Sequence, residues 1–186
     1  MTVPLRKYRF TVADYHRMAH AGILGEGDRV ELIDGEIIEM SPIGSRHAAC
    51  VNRLTRLLVT KLGDRAVVAV QNPVRLSDLS EPQPDFAVLR PRQGAYADRH
   101  PGPADILLLI EVADTSLPVD EQVKAPLYAM AGIPELWIVD LGGRSIEVLL
   151  DPTEQGYRTA QRVRGTEAIR PFAFSDVEFV ASDILA

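Results

Sequence analysis

The chain has 186 residues, of which 46% are hydrophobic and 25% charged, and its formal net charge is −6. This length suits one domain that buries roughly 70% of the surface of its unfolded chain. The acidic balance argues against a strong nonspecific nucleic-acid binder, but it leaves a nuclease open, because a bound cation offsets acidic side chains.

The N-terminal residues 1–7 lack the apolar core of a signal peptide, and the longest apolar runs are too short to cross a bilayer. The single cysteine, Cys50, excludes an intramolecular disulfide and suits a reducing compartment. We therefore expect a cytoplasmic protein that does not use a membrane. Cys50 lies near His47, so a Cys–His nucleophile is one interpretation, but a small packed hydrophobe is the commoner one.

The N-terminal part predicts a helix followed by a β-hairpin. Thr11 and Asp14 resemble a capping box, which opens a helix that ends near Gly22. Asp34-Gly35 separates two short apolar segments and is a strong signal for a two-residue hairpin turn. The two hairpin strands are predicted over residues 29–33 and 36–40.

A long amphipathic helix comes next, and a series of strands follows it. Ser45 is expected to cap this helix and Gly63 to end it. Its apolar stripe consists of Ala48, Val51, Leu54, Leu58 and Leu62. The strands are predicted over residues 66–70, 74–76, 85–89 and 106–112.

The C-terminal half predicts a second helix and further strands. Asp120 is expected to cap a helix that carries Lys124 and Tyr128, and Pro126 either kinks this helix or begins it. Strands are predicted over residues 135–140, 144–150 and 157–163, before a partly apolar tail over 172–185. This order predicts an α/β fold in a single domain over residues 1–186.

Two carboxylates and a lysine are candidates for metal-assisted chemistry on a phosphate. Five aliphatic residues precede Glu111, so this carboxylate lies near the end of a strand that is buried on both faces. Burial of a charge is costly unless a partner compensates, and a divalent cation shared with Asp85 would do so. Val112 would add its backbone carbonyl. Lys124 would orient the attacking water or stabilise developing charge.

Each candidate also has a purely structural explanation. Asp85 would be a turn residue after Pro84, and Lys124 a surface residue whose stem packs beside Tyr128. This explanation is weakest for Glu111, because of the aliphatic run before it. The chain has three lysines against seventeen arginines, so a compact ammonium at position 124 is a rare choice.

Several motifs in this chain order resemble the bacterial Uma-type restriction-endonuclease family, which is abundant in cyanobacteria and belongs to the PD-(D/E)XK superfamily. The resemblance runs from about residue 10 to about residue 180. It rests on Glu31-Leu32-Ile33-Asp34-Gly35-Glu36, Met40-Ser41-Pro42, Arg46-His47, Pro84-Asp85, Glu111-Val112 and Gly132-Ile133-Pro134-Glu135-Leu136-Trp137-Ile138-Val139-Asp140.

The resemblance implies a restriction-endonuclease-like core, with a central mixed β-sheet flanked by helices and preceded by a helix and a hairpin. It also implies cleavage of phosphodiester bonds in DNA with Mg²⁺, for which Mn²⁺ would substitute. Asp85 matches the Asp of the motif and Glu111 its Glu. The superfamily's usual lysine would fall at Ala113. In the family it is displaced to the following helix, which points to Lys124.

Further residues are assigned by the same resemblance. Glu31 matches an early acidic residue that would act as an additional or water-mediated metal ligand, although it is also explained as a charged residue on one face of a hairpin strand. Gln71 matches a polar position near the metal. His47 and Arg46 are candidate substrate contacts because of their place at the start of the long helix, although a solvated residue is the commoner explanation for each.

Other cofactors are disfavoured by the sequence. The chain has no Walker loop, no GxGxxG motif and no Cys–His cluster, so we expect neither a nucleotide cofactor nor structural zinc. His16, His20 and His100 show no metal-ligand spacing.

Three functions remain open at this point: a Mg²⁺-dependent endodeoxyribonuclease, a non-catalytic DNA-binding or interaction module with the same fold, and a phosphohydrolase for smaller phosphoesters. The intact set of Asp85, Glu111 and Lys124 favours the first. Cutting both strands of a duplex requires two sites, so a homodimer is expected. Apolar residues between 172 and 180 either form its interface or cover the chain's own core.

Overall fold

The structure is a computed structural model, and it describes residues 7–25 and 27–186. Residues 1–6 of the expected domain lie outside the described residues. They include most of the N-terminal segment that lacks the apolar core of a signal peptide. Over the part that is described, none of the helices combines the length and apolarity that a bilayer crossing requires.

The predicted N-terminal helix and hairpin are both present. Helix α1 (Val12–His20) begins after Thr11, whose hydroxyl accepts the Asp14 N–H at 3.1 Å, while the Asp14 carboxylate accepts the Thr11 N–H at 2.9 Å. In the hairpin turn Asp34 has a φ of 49° and Gly35 a φ of 76°. Such a turn matches the twist of the two strands that it joins. These antiparallel strands are β1 (Val30–Ile33) and β2 (Glu36–Glu39).

The predicted mixed sheet forms the centre of the fold. Within the described residues it has six strands in the order β3-β4-β5-β6-β7-β8. The β5–β6 pair is parallel, and every other neighbouring pair is antiparallel. The strands are β3 (Val67–Val70), β4 (Phe86–Leu89), β5 (Ile106–Ala113), β6 (Glu135–Asp140), β7 (Ser145–Thr153) and β8 (Gly156–Val163).

Helices cover both faces of this sheet, as predicted for β5. Val112 of β5 belongs to the core beneath the long helix α2 (Ser45–Leu62), on one face of the sheet. Leu109 and Ala113 belong to the core on the opposite face, with helix α4 (Ala125–Met130). Since side chains alternate along a strand, Glu111 faces the α4 side together with Leu109 and Ala113.

Helix α2 has the expected length but not the expected cap. Its N-cap is Gly44, with extended backbone and no capping side chain, and Ser45 is the first helical residue. The capping prediction is therefore wrong by one position. Gly63 ends the helix as predicted, with a φ of 54°. Cys50 is fully buried, and burial raises the pKa of its thiol to about 11, so it is a packed hydrophobe and not a nucleophile.

The helical segment after β5 is less regular than its sequence pattern predicted. Helix α3 (Leu117–Val119) continues into a π-helical turn over Asp120–Lys124 and then into α4. Asp120 is therefore inside the segment and is not an N-cap. Pro126 has no N–H to donate to the preceding turn, which favours a widened turn immediately before it.

The strand predicted over residues 74–76 is absent. The Val74 N–H donates to Pro82, the Arg75 N–H to Pro101 and the Leu76 N–H to Ser80, all at 2.9–3.0 Å. The backbone donors of this segment are thus satisfied by loop carbonyls, and in the part of the chain that is described no strand lies beside it to form a ladder.

The C-terminal tail packs mainly on the chain's own core. It contains the strand pair β9 (Ala168–Ile169) and β10 (Phe179–Val180), and it ends in helix α5 (Ala181–Leu185), which contacts α2. Phe174 and Phe179 are buried in the same core as α2, whereas Phe172 is 74% exposed. The sequence hint for a dimer interface therefore reduces largely to Phe172.

Candidate active site

A cavity of about 280 Å³ opens where the starts of β4 and α2, the end of β5, the hairpin β1–β2 and the helical segment 116–124 meet. Seven of the residues singled out from the sequence line it: Glu31, His47, Gln71, Asp85, Glu111, Val112 and Lys124. They come from six separate stretches of chain, and the fold brings them together.

Asp85 is positioned by strand pairing. The antiparallel register that pairs Phe86 with Ile110 brings Asp85, at the start of β4, alongside the end of β5. One oxygen, Oδ2, accepts the Val112 N–H at 2.9 Å and lies 3.1 Å from His47 Nε2, while Oδ1 accepts a hydrogen bond from Gln71 at 3.1 Å. Three donors therefore fix this carboxylate.

His47 is a hydrogen-bonding partner of Asp85. The hydrogen bond to Asp85 raises the pKa of the imidazole, although partial burial opposes this change. Its other ring nitrogen, Nδ1, is buried and has no hydrogen-bond partner among the described residues. His47 therefore holds Asp85 through one nitrogen and leaves the other available in a buried position.

Glu111 is buried against the helical segment. Its Oε1 accepts a hydrogen bond from the Tyr128 hydroxyl at 2.6 Å and lies 3.3 Å from the Lys124 ammonium. Burial raises the pKa of Glu111 to about 8 against the attraction of Lys124, and the nearby charges of Asp120 and Asp85 act in the same direction as burial. The positive charge near Glu111 is therefore too small to offset the effect of burial on its pKa.

Lys124 lies between two carboxylates. Its Nζ atom is 3.3 Å from Oε1 of Glu111 and also 3.3 Å from Oε1 of Glu31. Only 9% of the Lys124 side chain is exposed, so the surface explanation does not hold. Burial acts to lower its pKa, but the carboxylates of Glu111, Glu31 and Asp120 together raise it above the usual value. The ammonium therefore keeps its proton at neutral pH.

Glu31 is buried, contrary to its explanation as a charged residue on an exposed hairpin face. Its residue exposure is 4%, and its Oε2 accepts the backbone N–H of Gln83 at 2.9 Å. One ammonium thus serves the two carboxylates of Glu31 and Glu111, and its attraction does not offset the effect of burial on the pKa of Glu111.

Comparison with known protein families shows to which family this chain belongs. A family model named Uma2 and described as "Putative restriction endonuclease" matches residues 12–181. The chain belongs to this family. The resemblance noted in the sequence is thereby confirmed, and membership in the Uma2 family, together with the nuclease-like fold, supports a nuclease.

Solved structures contain the same fold. A crystal structure from Anabaena variabilis, titled as that of a putative nuclease belonging to DUF820, superposes with a TM-score of 0.72 at 14% sequence identity. The match covers 95% of this chain and 97% of that one. At this identity the likeness shows the fold alone, and it confirms the predicted α/β core. No curated protein matches the chain.

Ala113 and Lys124, the two positions that the resemblance connects with a lysine, differ in their relation to Glu111. Ala113 lies two residues after Glu111 on the same face of β5, and it is buried in the core with α4. The ammonium near Glu111 comes instead from Lys124, which extends from the π-helical turn.

Two residues that sequence reasoning did not assign to the site contribute to it. Tyr128 donates to Glu111, and Asp120 lines the cavity while accepting a hydrogen bond from the Ser116 hydroxyl at 2.6 Å. Burial raises the pKa of Asp120 to about 6. The missed signal was spacing, since Ser116, Asp120, Lys124 and Tyr128 recur every four residues and so share one helical face.

Arg46 is not brought together with the carboxylates. Its guanidinium donates to the Leu141 carbonyl at 2.9 Å and lies 3.2 Å from Asp114, which itself lines the cavity. The Arg46 side chain is 63% exposed. This residue therefore lies at the rim of the cavity and not in it.

The donor set of the cavity fits a hard divalent cation. Six acidic residues line it, namely Glu31, Glu39, Asp85, Glu111, Asp114 and Asp120, against the cationic side chains of Lys124 and Arg29. If all are ionised, four negative charges remain uncompensated before His47 is counted. Oxygen-rich groups of this kind suit Mg²⁺ and similar ions.

Proposed function

We propose that this protein is a divalent-metal-dependent endonuclease that hydrolyses phosphodiester bonds in DNA. The observation that carries the proposal is that Asp85, Glu111 and Lys124 line one cavity, where the ammonium lies 3.3 Å from a Glu111 oxygen. Membership in the Uma2 family supports the same conclusion.

Asp85, Glu111 and the backbone carbonyl of Val112 would hold the cation, with Glu31 as an additional or water-mediated ligand. The Val112 N–H points to Asp85, and the N–H and C=O of a residue in a strand point to the same side. The Val112 carbonyl therefore faces the same side as Asp85. Bound Mg²⁺, or Mn²⁺ in its place, would polarise the phosphate and lower the pKa of a bound water.

The side chains around these ligands have separate tasks. Lys124 keeps its proton, so it would act as a donor that orients the attacking water or stabilises developing negative charge, and not as a base. His47 and Gln71 fix the Asp85 carboxylate, and Tyr128 fixes that of Glu111. A prepositioned ligand set loses less entropy when the substrate binds.

The substrate would reach the cavity from a partly basic rim. Arg29 lines the cavity, Arg46 lies beside it, and both are exposed. Arginines in this position would contact phosphates next to the one being cleaved, which fixes the register of a strand without reading its bases. This arrangement favours a nucleic-acid strand over a small phosphoester.

The decisive experiment incubates the metal-free protein with a panel of nucleic acids, with and without Mg²⁺ or Mn²⁺. The panel holds duplex DNA, single-stranded DNA, branched DNA and RNA, together with a small chromogenic phosphodiester. We expect cleavage of DNA only when metal is added. Cleavage of the small ester alone would favour a phosphohydrolase, and binding of DNA without cleavage would favour the non-catalytic module.

A matched pair of variants separates the site from a contaminating nuclease. Asp85→Asn keeps the size of the side chain and removes its charge, so it should abolish cleavage. Asp98→Asn removes a surface carboxylate that pairs with Arg92, and it should leave cleavage unchanged. Equal activity of the two variants would contradict the proposed site.

We also propose that the protein is a homodimer with one nuclease domain per chain. Two sites related by a two-fold axis would face antiparallel strands of a duplex. The exposed Phe172 is a candidate for the interface. Light scattering at micromolar concentration should give twice the mass of one chain, whereas a monomer would contradict this arrangement and favour nicking.

A further inference from the structure

Two histidines and a glutamate that are far apart in the sequence meet outside the candidate active site. His16 is on α1, Glu81 forms a bridge with Leu32 of β1, and His100 lies in the loop before β5. One ligand atom from each of the three residues lies within 4.8 Å of the other two. None of the three lines the cavity around Asp85.

Glu81 is the buried member of this group, and one of its oxygens lacks a partner. Only 2% of its side chain is exposed, and its Oε1 lies 2.6 Å from His16 Nε2. Its Oε2 is buried without a hydrogen-bond partner in the part of the chain that the structure describes. An unsatisfied buried acceptor destabilises the folded state, and more so when it is charged.

An ion pair between His16 and Glu81 does not explain the whole arrangement. It accounts for Oε1 but leaves Oε2 unsatisfied, and it gives no reason for His100 to approach. The imidazole rings of His16 and His100 have their centroids 6.2 Å apart and cross at 77°. Two ring nitrogens and a carboxylate therefore converge on one small volume.

The chemistry of these donors indicates which ion they would bind. Two imidazoles and one carboxylate, with further positions open to water, form a common ligand set for Zn²⁺. Mg²⁺ and Ca²⁺ prefer oxygen donors, whereas imidazole suits Zn²⁺ and the late first-row divalent ions. His16 is 45% exposed at its side chain and His100 is exposed, so solvent would complete the coordination.

We propose that His16, Glu81 and His100 form a second metal site, which binds Zn²⁺ or a chemically similar transition-metal ion. The site is separate from the oxygen-donor cavity, and its existence does not depend on the proposed nuclease activity. It would join α1 and the loop at His100 to the segment 81–85, which also carries Asp85. Its role is to stabilise this segment, because binding to the folded state alone raises the free energy of unfolding.

The test is a Zn²⁺ titration of the full chain, without a histidine tag and stripped of metal by a chelator. Excess Mg²⁺ is present throughout, so that Mg²⁺ competes at the oxygen-donor cavity. Calorimetry should show that the wild type binds one Zn²⁺ per chain, with a higher melting temperature. Co²⁺ in place of Zn²⁺ should give visible absorption bands of nitrogen coordination. A wild type that binds no Zn²⁺ would overturn the proposal.

Three variants locate the bound ion. His100→Asn alters an exposed side chain and should weaken Zn²⁺ binding by roughly tenfold or more. Loss of a residue that only supports a metal ligand already costs about tenfold in affinity, and His100 would be a ligand itself. His20→Asn, at an exposed position on the same helix as His16, and Glu111→Gln, in the cavity, should bind Zn²⁺ as the wild type does. The proposal fails if His100→Asn matches His20→Asn, or if Glu111→Gln alone loses Zn²⁺.

Discussion

Lys124 Nζ and Glu111 Oε1 lie 3.3 Å apart, and both side chains are largely buried, with 9% and 4% of their surface exposed. A buried ion pair of this kind contributes little to stability by itself, because desolvation offsets its Coulomb attraction. Glu31 competes for the same ammonium at the same distance. This arrangement is more easily explained by a demand for positive charge near a phosphate than by a need for stability.

Replacing Lys124 should separate turnover from metal binding. Loss of an electrostatic contact to the transition state typically costs a hundredfold or more in rate, so we expect Lys124→Ala to cut DNA at about 1% of the wild-type rate or less. Its affinity for Mn²⁺ should be unchanged or higher, because a positive charge beside the carboxylates is removed. Lys124→Arg should rescue poorly, since a planar guanidinium does not fit the place of a compact ammonium.

The control for this experiment is Lys61, at the end of α2. Its ammonium donates to the Glu178 carbonyl at 2.6 Å and lies over the Phe179 ring, so it belongs to the packing of the C-terminal tail. Lys61→Ala should retain wild-type cleavage. If it abolished cleavage while Lys124→Ala did not, the assignment of the displaced lysine would be wrong.

Tyr128→Phe should weaken metal binding without removing a ligand. The hydroxyl of Tyr128 donates to Glu111 and helps to keep its pKa from rising further, so its loss should raise that pKa above about 8. A larger share of Glu111 is then protonated at neutral pH, and Mn²⁺ has to displace that proton. We expect a lower affinity at pH 7 that recovers at higher pH, as measured by calorimetry.

Tyr157→Phe is the matched control for Tyr128→Phe. Tyr157 is also largely buried, and its hydroxyl donates at 3.0 Å to the Ile133 carbonyl, outside the cavity. It should lose some stability but keep the affinity for Mn²⁺ at every pH. If both variants lost affinity for Mn²⁺, the cause would be a general effect of the missing hydroxyl and not its contact with Glu111.

Mn²⁺ should raise the melting temperature through Asp85 and Glu111. A ligand at a hundredfold excess over its dissociation constant stabilises the folded state by about 2.7 kcal/mol. Glu111→Gln should greatly reduce this effect. A melting temperature that Mn²⁺ leaves unchanged in the wild type, or one that rises equally in Glu111→Gln, would place the metal elsewhere or exclude it.

The elements that sequence alone predicted well are those with local causes. The Thr11–Asp14 capping box, the Asp34-Gly35 turn and the aliphatic run before Glu111 each determine a structure within a few residues of chain. The predicted strand at residues 74–76 failed because its backbone donors bond to Pro82, Pro101 and Ser80, which depends on how distant loops pack. No local pattern contains that information.

The candidate site likewise contains some residues that the sequence indicates and others that only the folded structure brings together. Strand order and burial indicate Asp85 and Glu111, and Lys124 is indicated by the rarity of lysine in the chain together with the resemblance to a family. The sequence pattern at Asp120 predicts a helix cap, because nothing local indicates the π-helical turn that places this residue inside the segment. The meeting of His16, Glu81 and His100 had no sequence signal at all, because 65 residues separate the first two.

The pH dependence of stability offers a test of the charge state of Glu111 in the metal-free protein. Its pKa rises on folding from an ordinary value of 4.5 to about 8. Between these values the folded chain keeps a proton that the unfolded chain has lost, so stability falls as the pH rises, and the loss is complete once the pH has passed through about 8. The effect should be on the order of a few kcal/mol.

Chemical denaturation of metal-free protein between about pH 5 and about pH 9 measures this loss, and Glu111→Gln should remove most of it. Added Mn²⁺ should restore stability to the wild type at about pH 9, because the cation then neutralises the ionised carboxylate. Glu135→Gln is the matched control, since Glu135 is buried, has a raised pKa for the same reason and accepts hydrogen bonds from Trp137 and Phe172 outside the cavity. This variant should alter the pH dependence but leave the response to Mn²⁺ as in the wild type. If Mn²⁺ stabilised Glu111→Gln at about pH 9 as strongly as it stabilised Glu135→Gln, the raised pKa of Glu111 would have no connection with metal binding.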